Sequence, residues 1–340
     1  MSESPNSTSA LGKEVLMDKL ISYVIPCYRS ENTITTVVDE IDTLMKEHSD
    51  YNYEIILIND SSPDNVWSVI EDLARERQDV KAISFAKNFG QHAALMAGYR
   101  VAEGELIVSL DDDGQTPVAD TFKLIDKLSE GYDVVYARYN KLNESLWRRC
   151  GSWLSNKMSE VLIGKPKNVL GSSFYVMKSF IAKEMTKYNN SYPFVGGLVF
   201  RATKSIANIT VDHYDRIEGK SGYSFMKLLR LWLNGFTAFS VVPLRASSFV
   251  GIICAIIGFA FGLFTVIRKI LVPRISAGWS STVSLILFIG GLIMMMLGMI
   301  GEYLGRIYIS LNNSPQYVIR ECLNINDETK SLDEIKSLEE

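Results

Sequence analysis

Three adjacent carboxylates, Asp111, Asp112 and Asp113, follow the apolar run Leu106-Ile107-Val108 and precede Gly114-Gln115-Thr116-Pro117. The apolar run reads as a buried strand that delivers charge to its C-terminal tip. Three neighbouring like charges are costly unless something cationic is shared among them. A hard divalent ion such as Mg²⁺ or Mn²⁺, with oxygen ligands, answers that need and is most useful where phosphate oxygens are gripped. A solvated acidic turn is the plain alternative for the same residues. Histidine is scarce, with only His48, His92 and His213 in the chain. His92 sits where it either touches a ligand or simply opens a helix.

The elements around these residues predict an α/β fold. Apolar, β-branched runs at Leu20–Ile25, Glu54–Ile58, Val80–Phe85, Glu105–Leu110 and Tyr132–Arg138 alternate with helical spacing at Glu31–Glu47, Val66–Arg77, Gln91–Ala102 and Val118–Ser129. Strands that are apolar throughout, alternating with helices, imply a parallel sheet covered on both faces. Ligands of such sheets bind outside the carboxyl ends of the strands. Asp60, which closes the second strand, and the cluster at 111–113 are therefore expected in one cleft.

The second half has a different character. Phe249–Ile267 and Ser281–Gly301 are 19- and 21-residue stretches without a charge. Each is long enough to span about 30 Å of hydrocarbon at ~1.5 Å per residue. Buried core helices of a soluble protein are the alternative. Two spans return the chain to its starting side. Gly222–Ser240 places Phe225, Leu228, Leu229 and Trp232 on one stripe beside Lys227 and Arg230, as in a helix lying on a membrane surface or an ordinary amphipathic helix. The G-x-x-x-G spacing of Gly258 and Gly262 permits close helix contact and leaves a homo-oligomer open. A net charge of −4 argues against a nucleic-acid binder. Cys27, Cys150, Cys254 and Cys322 have no metal-type spacing and read as reduced thiols.

Several motifs carry a resemblance. SYVIPCYRSE (22–31), LINDSSPDN (57–65), FAKNFGQHAAL (85–95) and SLDDDGQTP (109–117) are similar, in order, to the motifs of inverting family 2 glycosyltransferases with the A-type nucleotide-sugar fold. GKSGYSF (219–225), VVPLR (241–245) and MIGEYLGRIY (299–308) resemble the bacterial polyprenyl-phosphate glycosyltransferases, relatives of dolichyl-phosphate mannose synthase. Together these readings predict a flexible tail at 1–19, a catalytic domain at 20–221, interfacial helices at 222–246, two membrane helices at 247–306 and a cytoplasmic tail at 307–340. They imply a multi-pass protein of the inner (plasma) membrane with its catalytic domain in the cytoplasm.

The resemblance also assigns roles. Pro26, Tyr28, Glu31 and Asp60 match positions that hold the base and ribose of a nucleotide. Asp111, Asp113 and Gln115 match ligands of the metal and diphosphate, with Asp112 in the variable middle slot beside the donor. Arg138 and one of Arg148 or Arg149 match arginines that grip the lipid phosphate. Lys87 falls in a loop close to the donor, and Lys220 and Ser221 in a segment that closes over the site. Ser172-Ser173 stand where many relatives carry an acidic residue before the Phe, so no carboxylate acts there.

The implied reaction moves a sugar from a nucleotide donor, a UDP-sugar by analogy, to polyprenyl phosphate with inversion. A phosphate monoester has a second pKa near 6 and is already a nucleophile at neutral pH, so a strong base is unnecessary. The rival readings are a family 2 transferase acting on a non-lipid glycan acceptor and a catalytically silent membrane scaffold.

Overall fold

The structure, a computed structural model, describes residues 20–139, 157, 160, 164–167, 169–211, 242–271, 278–311 and 315–325. The chain divides into two compact units, Tyr223–Ser314 and the remainder.

In the larger unit the run LISYVIPC forms β1 (Leu20–Cys27), with every residue after Leu20 buried. Then come α1 (Ile34–Glu47), β2 (Asn52–Asn59), α2 (Val66–Glu76), β3 (Val80–Phe85), α3 (Gln91–Val101) and β4 (Leu106–Ser109). α4 (Thr121–Ser129) follows a 3₁₀ turn at Val118–Asp120, and β5 is Val134–Tyr139. These are the strands and helices that the sequence pattern predicts. α1 shows why: Ile34, Val37, Val38, Ile41, Leu44 and Met45 recur at helical spacing, and all six are buried against the sheet core. α3 lies tight on β1 and β2. A Cβ at Gly98 would come within 2.4 Å of Val24 Cγ1 and 2.9 Å of Ile58 Cδ1, so only glycine lets the helix approach.

The remaining elements are β6 (Tyr175–Lys178), α5 (Ser179–Met185), α6 (Val195–Ala202), β7 (Ile206–Val211) and β8 (Ile319–Leu323). The eight-stranded sheet has the order β7-β5-β6-β4-β1-β2-β3-β8. It is mostly but not wholly parallel. β6 pairs antiparallel with both β4 and β5, and β8 antiparallel with β3. β6, four residues long, separates β4 from β5 and is not among the strands that the sequence pattern predicts. β8 lies in the stretch expected to be a tail. Its sequence, Ile-Arg-Glu-Cys-Leu, carries two charges and its residues stay partly or fully exposed, as suits an edge strand.

Register decides where the loops meet. Cys27 pairs with Asn59, Asn59 with Ser84, Val24 with Ser109, and Ser109 with Tyr175. The loops after β1, β2, β3 and β4 and the loop before β6 therefore open at one edge of the sheet.

The smaller unit contains two long helices, α7 (Val242–Leu271) and α8 (Trp279–Leu311). Their apolar side chains point outward: Phe259 is 76% exposed and Met294 70%. Phe288–Gly305 in α8 is long and apolar enough to cross a membrane, with a mean hydropathy of 1.6 and no part of it buried. It is the one such stretch among the described residues, where the sequence pattern predicts two. The apolar stretch found in α7, Gly251–Phe261, is shorter. Within this unit an apolar cavity of 590 Å³ is lined by Gly251, Cys254 and Gly258 of α7 and by Ile289, Ile293 and Met296 of α8.

Candidate active site

The loop after β1 is fastened to the loop after β2. The Arg29 N–H donates to Ser62 Oγ at 2.8 Å, and the Glu31 N–H to Asp64 Oδ2 at 3.1 Å. In return Glu31 Oε2 accepts from the Asn65 N–H at 2.8 Å, at the head of α2. The turn residues of NDSSPDN close on themselves through Ser62 N–H to Asn59 Oδ1 at 2.9 Å. Arg29 (φ 63°) and Ser61 (φ 50°) are left-handed without being glycine, a cost of order 1 kcal/mol each that these contacts hold in place.

The loop after β3 is fastened next. Asp60, 4% exposed, accepts the Phe89 N–H at 2.7 Å on one carboxylate oxygen and the Gly90 N–H at 2.8 Å on the other. The Asn88 side-chain amide donates to its carbonyl at 3.1 Å. Gly90 has φ +93°, which admits glycine and strains other residues. Burial raises the Asp60 pKa, and the two N–H groups offset that only in part.

The acidic triplet divides by role. Asp112 Oδ2 accepts from the Tyr28 N–H at 2.8 Å, and its carbonyl accepts from Thr33 Oγ at 2.6 Å. Burial pushes its carboxyl up to about 6, with the Ser30 hydroxyl and the Tyr28 N–H pulling the other way. Asp112, expected in the variable middle slot, ties the acidic loop to the loop after β1. Asp111 Oδ1 accepts from the Gln91 side-chain amide at 2.9 Å, at the start of α3. Asp113 Oδ1 accepts from the Gln115 N–H at 3.1 Å within its own turn. Both carboxylates act on one phenol. Burial raises the Tyr139 pKa, the Thr116 hydroxyl lowers it, and the charges of Asp111 and Asp113 add to the rise.

Tyr28 (43% exposed), Lys87 and Arg138 are exposed at this edge of the sheet. Arg29 lies over the Tyr28 ring at 5.5 Å and Lys87 over Phe89 at 5.0 Å. Pro26 is different: it is buried inside β1 opposite Ile58, and reaches the site only through the chain it shapes. Arg148, Arg149, Lys220 and Ser221 lie outside the described residues, as does the interfacial segment 222–240. Ser172 is absorbed locally, accepting the Phe174 N–H at 3.1 Å. Sequence reading missed Gln91, Thr33, Asp64 and Tyr139. The first three lay in quoted or adjoining motifs, but only the fold shows what they touch.

Residues 22–184 match the family model described as Glycosyl transferase family 2. The chain is 31% identical over 318 residues to the undecaprenyl-phosphate 4-deoxy-4-formamido-L-arabinose transferase of Proteus mirabilis, covering 92% of this chain and 97% of that protein. The chain belongs to glycosyl transferase family 2. This family 2 member is also 29% identical to the uncharacterized glycosyltransferase YkcC of Bacillus subtilis, across 90% of this chain and 95% of that one. Among solved structures, glucosyl-3-phosphoglycerate synthase from Mycobacterium tuberculosis, in complex with Mn²⁺ and UDP-glucose, is 17% identical with a TM-score of 0.49. It covers 69% of this chain and 83% of that chain.

The donor set of the family 2 member suits a hard cation. Asp111, Asp113 and Gln115 offer oxygen alone. Among the described residues no group of three or more His, Cys, Asp or Glu side chains is placed to hold a metal ion. His92, next to Gln91, is held neutral: burial lowers its pKa to about 4, and its ring meets Phe194 edge-on at 5.3 Å.

Proposed function

We propose that this chain transfers a sugar from a nucleotide donor, a UDP-sugar, to polyprenyl phosphate with inversion at the sugar. The observation that carries the reading is collinearity. The alignment with the undecaprenyl-phosphate transferase of Proteus mirabilis runs through 92% of this chain, beyond the 163 residues of the family model and into the long helices. An acceptor with a hydrocarbon tail explains why such helices accompany the cleft.

Asp111, Asp113 and Gln115 would hold Mg²⁺ or Mn²⁺, which supplies positive charge against the leaving diphosphate. Tyr28, with the loops that Glu31 and Asp60 hold, lines the nucleotide side, and Lys87 adds positive charge near the donor. Arg138, joined by Arg148 or Arg149, grips the acceptor phosphate, because a guanidinium fork matches phosphate oxygens. An oxygen of that phosphate attacks the anomeric carbon as the bond to the diphosphate breaks. The nucleoside diphosphate leaves, and no proton need be taken from the dianionic acceptor. Lys220 and Ser221 close over the donor.

Chain connectivity bears on the membrane. β7 and β8 belong to one sheet, which supports a reading in which the chain between them crosses a bilayer twice. If Phe288–Gly305 spans, α7 is the returning span, and the protein is multi-pass in the inner membrane with the sheet unit cytoplasmic.

The test offers a panel of radiolabelled UDP-sugars, with undecaprenyl phosphate in detergent, to the purified full chain. Label passing into the organic phase, and blocked by EDTA, is expected. Label passing only to water-soluble glycan acceptors would overturn the lipid reading. Full rates in excess chelator would overturn the role given to Asp111 and Asp113.

A further inference from the structure

The residues that follow α8 do more than lead to an edge strand. Gln316, 5% exposed, donates its side-chain amide to two carbonyls, Tyr188 O at 3.2 Å and Asn190 O at 3.0 Å. Those carbonyls belong to the turn that leads to Phe194, whose ring meets His92. Tyr317, 9% exposed, stacks on Phe85 with centroids 5.1 Å apart and planes 10° from parallel. Phe85 in turn meets Phe89 edge-on at 5.7 Å, and the Phe89 N–H is one of the two that hold Asp60. Arg100 joins the two sides, donating to Tyr317 Oη at 2.7 Å and to Asn189 Oδ1 at 3.0 Å. The next residues complete the seam. The Ala86 N–H donates to Val318 O at 2.9 Å, and Arg320 Nη2 donates to Ala86 O at 3.0 Å. Both main-chain groups of the first residue after β3 are thus taken by the returning chain.

We infer that Gln316 and Tyr317 are positioning residues, a two-residue brace that sets the 86–92 and 188–194 loops and through them the donor side of the cleft. The inference rests on the transfer reaction proposed above. Neither residue has to touch substrate. Tyr317 acts through Phe85 and Phe89 on Asp60. Gln316 acts through the 188–190 turn on Phe194 and His92. The two paths meet at Gln91-His92, where Gln91 holds Asp111 at 2.9 Å. In sequence the brace follows α8 after only three residues and Pro315. Displacements of about 1 Å in groups that position a substrate are enough to change rates by up to ~100-fold.

The experiment compares the full chain with Gln316→Leu, Tyr317→Leu and Tyr317→Phe in detergent. Hydrogen exchange of the 86–92 and 188–194 segments is followed, with β1 and α1 as internal controls, and the donor KM and kcat are measured separately. Gln316→Leu is expected to speed exchange in 188–194 first, and Tyr317→Leu in 86–92 first, with β1 and α1 unchanged. Both leucine variants should raise donor KM about tenfold and leave kcat within about twofold, a split that general loss of folded protein would not give. Tyr317→Phe keeps the stack on Phe85 and should restore exchange in 86–92. Unchanged exchange in both loops, in variants that melt at the wild-type temperature, would overturn the brace. So would a uniform rise that includes β1 and α1. If the wild-type chain moves no sugar to polyprenyl phosphate, the acceptor reading fails, and the exchange measurements still decide the brace.

Discussion

Asp60 and Asp112 accept main-chain N–H groups from loops 29, 30 and 84 residues away in sequence. Asp111 and Asp113, one residue to either side of Asp112, accept from a side-chain amide and from their own turn. The first pair stitches separate loops together and shields its charge in doing so: burial raises both pKa values. The charges of the second pair both add to the raised pKa of Tyr139. A run of three identical residues thus contains two kinds of carboxylate, distinguished by what each side chain meets. A main-chain N–H that loses its acceptor has to be resolvated or left unpaired. A turn or side-chain amide can re-form its contact around an incoming ligand.

The sharpest way to break this division is to remove each kind separately. Asp113→Ala and Asp111→Ala should each cut sugar transfer by about 10²–10³-fold or more, the scale for losing preorganised charge at a reacting centre. Their thermal midpoints should stay within a few degrees of wild type. Initial rates paired with thermal melts check both halves. Near-wild-type transfer by either variant would remove these residues from the chemistry.

Asp60→Ala and Asp112→Ala should show the opposite balance. Asp60→Ala strands the Phe89 and Gly90 N–H groups, and Asp112→Ala strands that of Tyr28, at about 1–3 kcal/mol for each group left unsatisfied. In a domain of this size that lowers the melting midpoint by several degrees. Transfer falls less than in the Asp113 variant, through a higher donor KM. Asp60→Asn keeps one acceptor oxygen and should recover part of the loss. A silent thermal midpoint with abolished transfer would move Asp60 into the chemical group.

This division also marks what was legible in the sequence. The strands and helices from Leu20 to Tyr139 announce themselves, because buried parallel strands are apolar at every position and their helices carry one apolar face. The acidic tip and Asp60 were legible as strand ends, and the family motifs gave the order of the loops. The split within the triplet was not, since Asp112 differs from its neighbours only in facing the Tyr28 N–H across the fold. β6 and β7 were not anticipated, and β8 escaped because it is an exposed edge strand with two charges. Gln316 and Tyr317 lie between a long apolar helix and a short strand with no pattern of their own. Their role depends on contacts with residues more than 120 positions away.

The smallest effect tests the fastened side of the cleft through a group that is uncharged at neutral pH. His92 is buried against Phe194, and burial lowers its pKa to about 4 from an ordinary value near 6.5. Between those values the unfolded chain binds a proton that the folded chain refuses. Stability therefore rises with pH through this window, is complete above about 6.5, and is lost as pH falls towards 4. The loss is on the order of 2–3 kcal/mol at the bottom of the window. His92→Leu removes the titrating group, so its midpoint should fall less steeply than that of wild type between pH 6.5 and 4.5. Thermal melts at half-unit steps measure the two slopes. Parallel curves would mean that His92 takes up its proton in the folded state, and that the contact between α3 and the Phe194 loop opens to water at mildly acid pH.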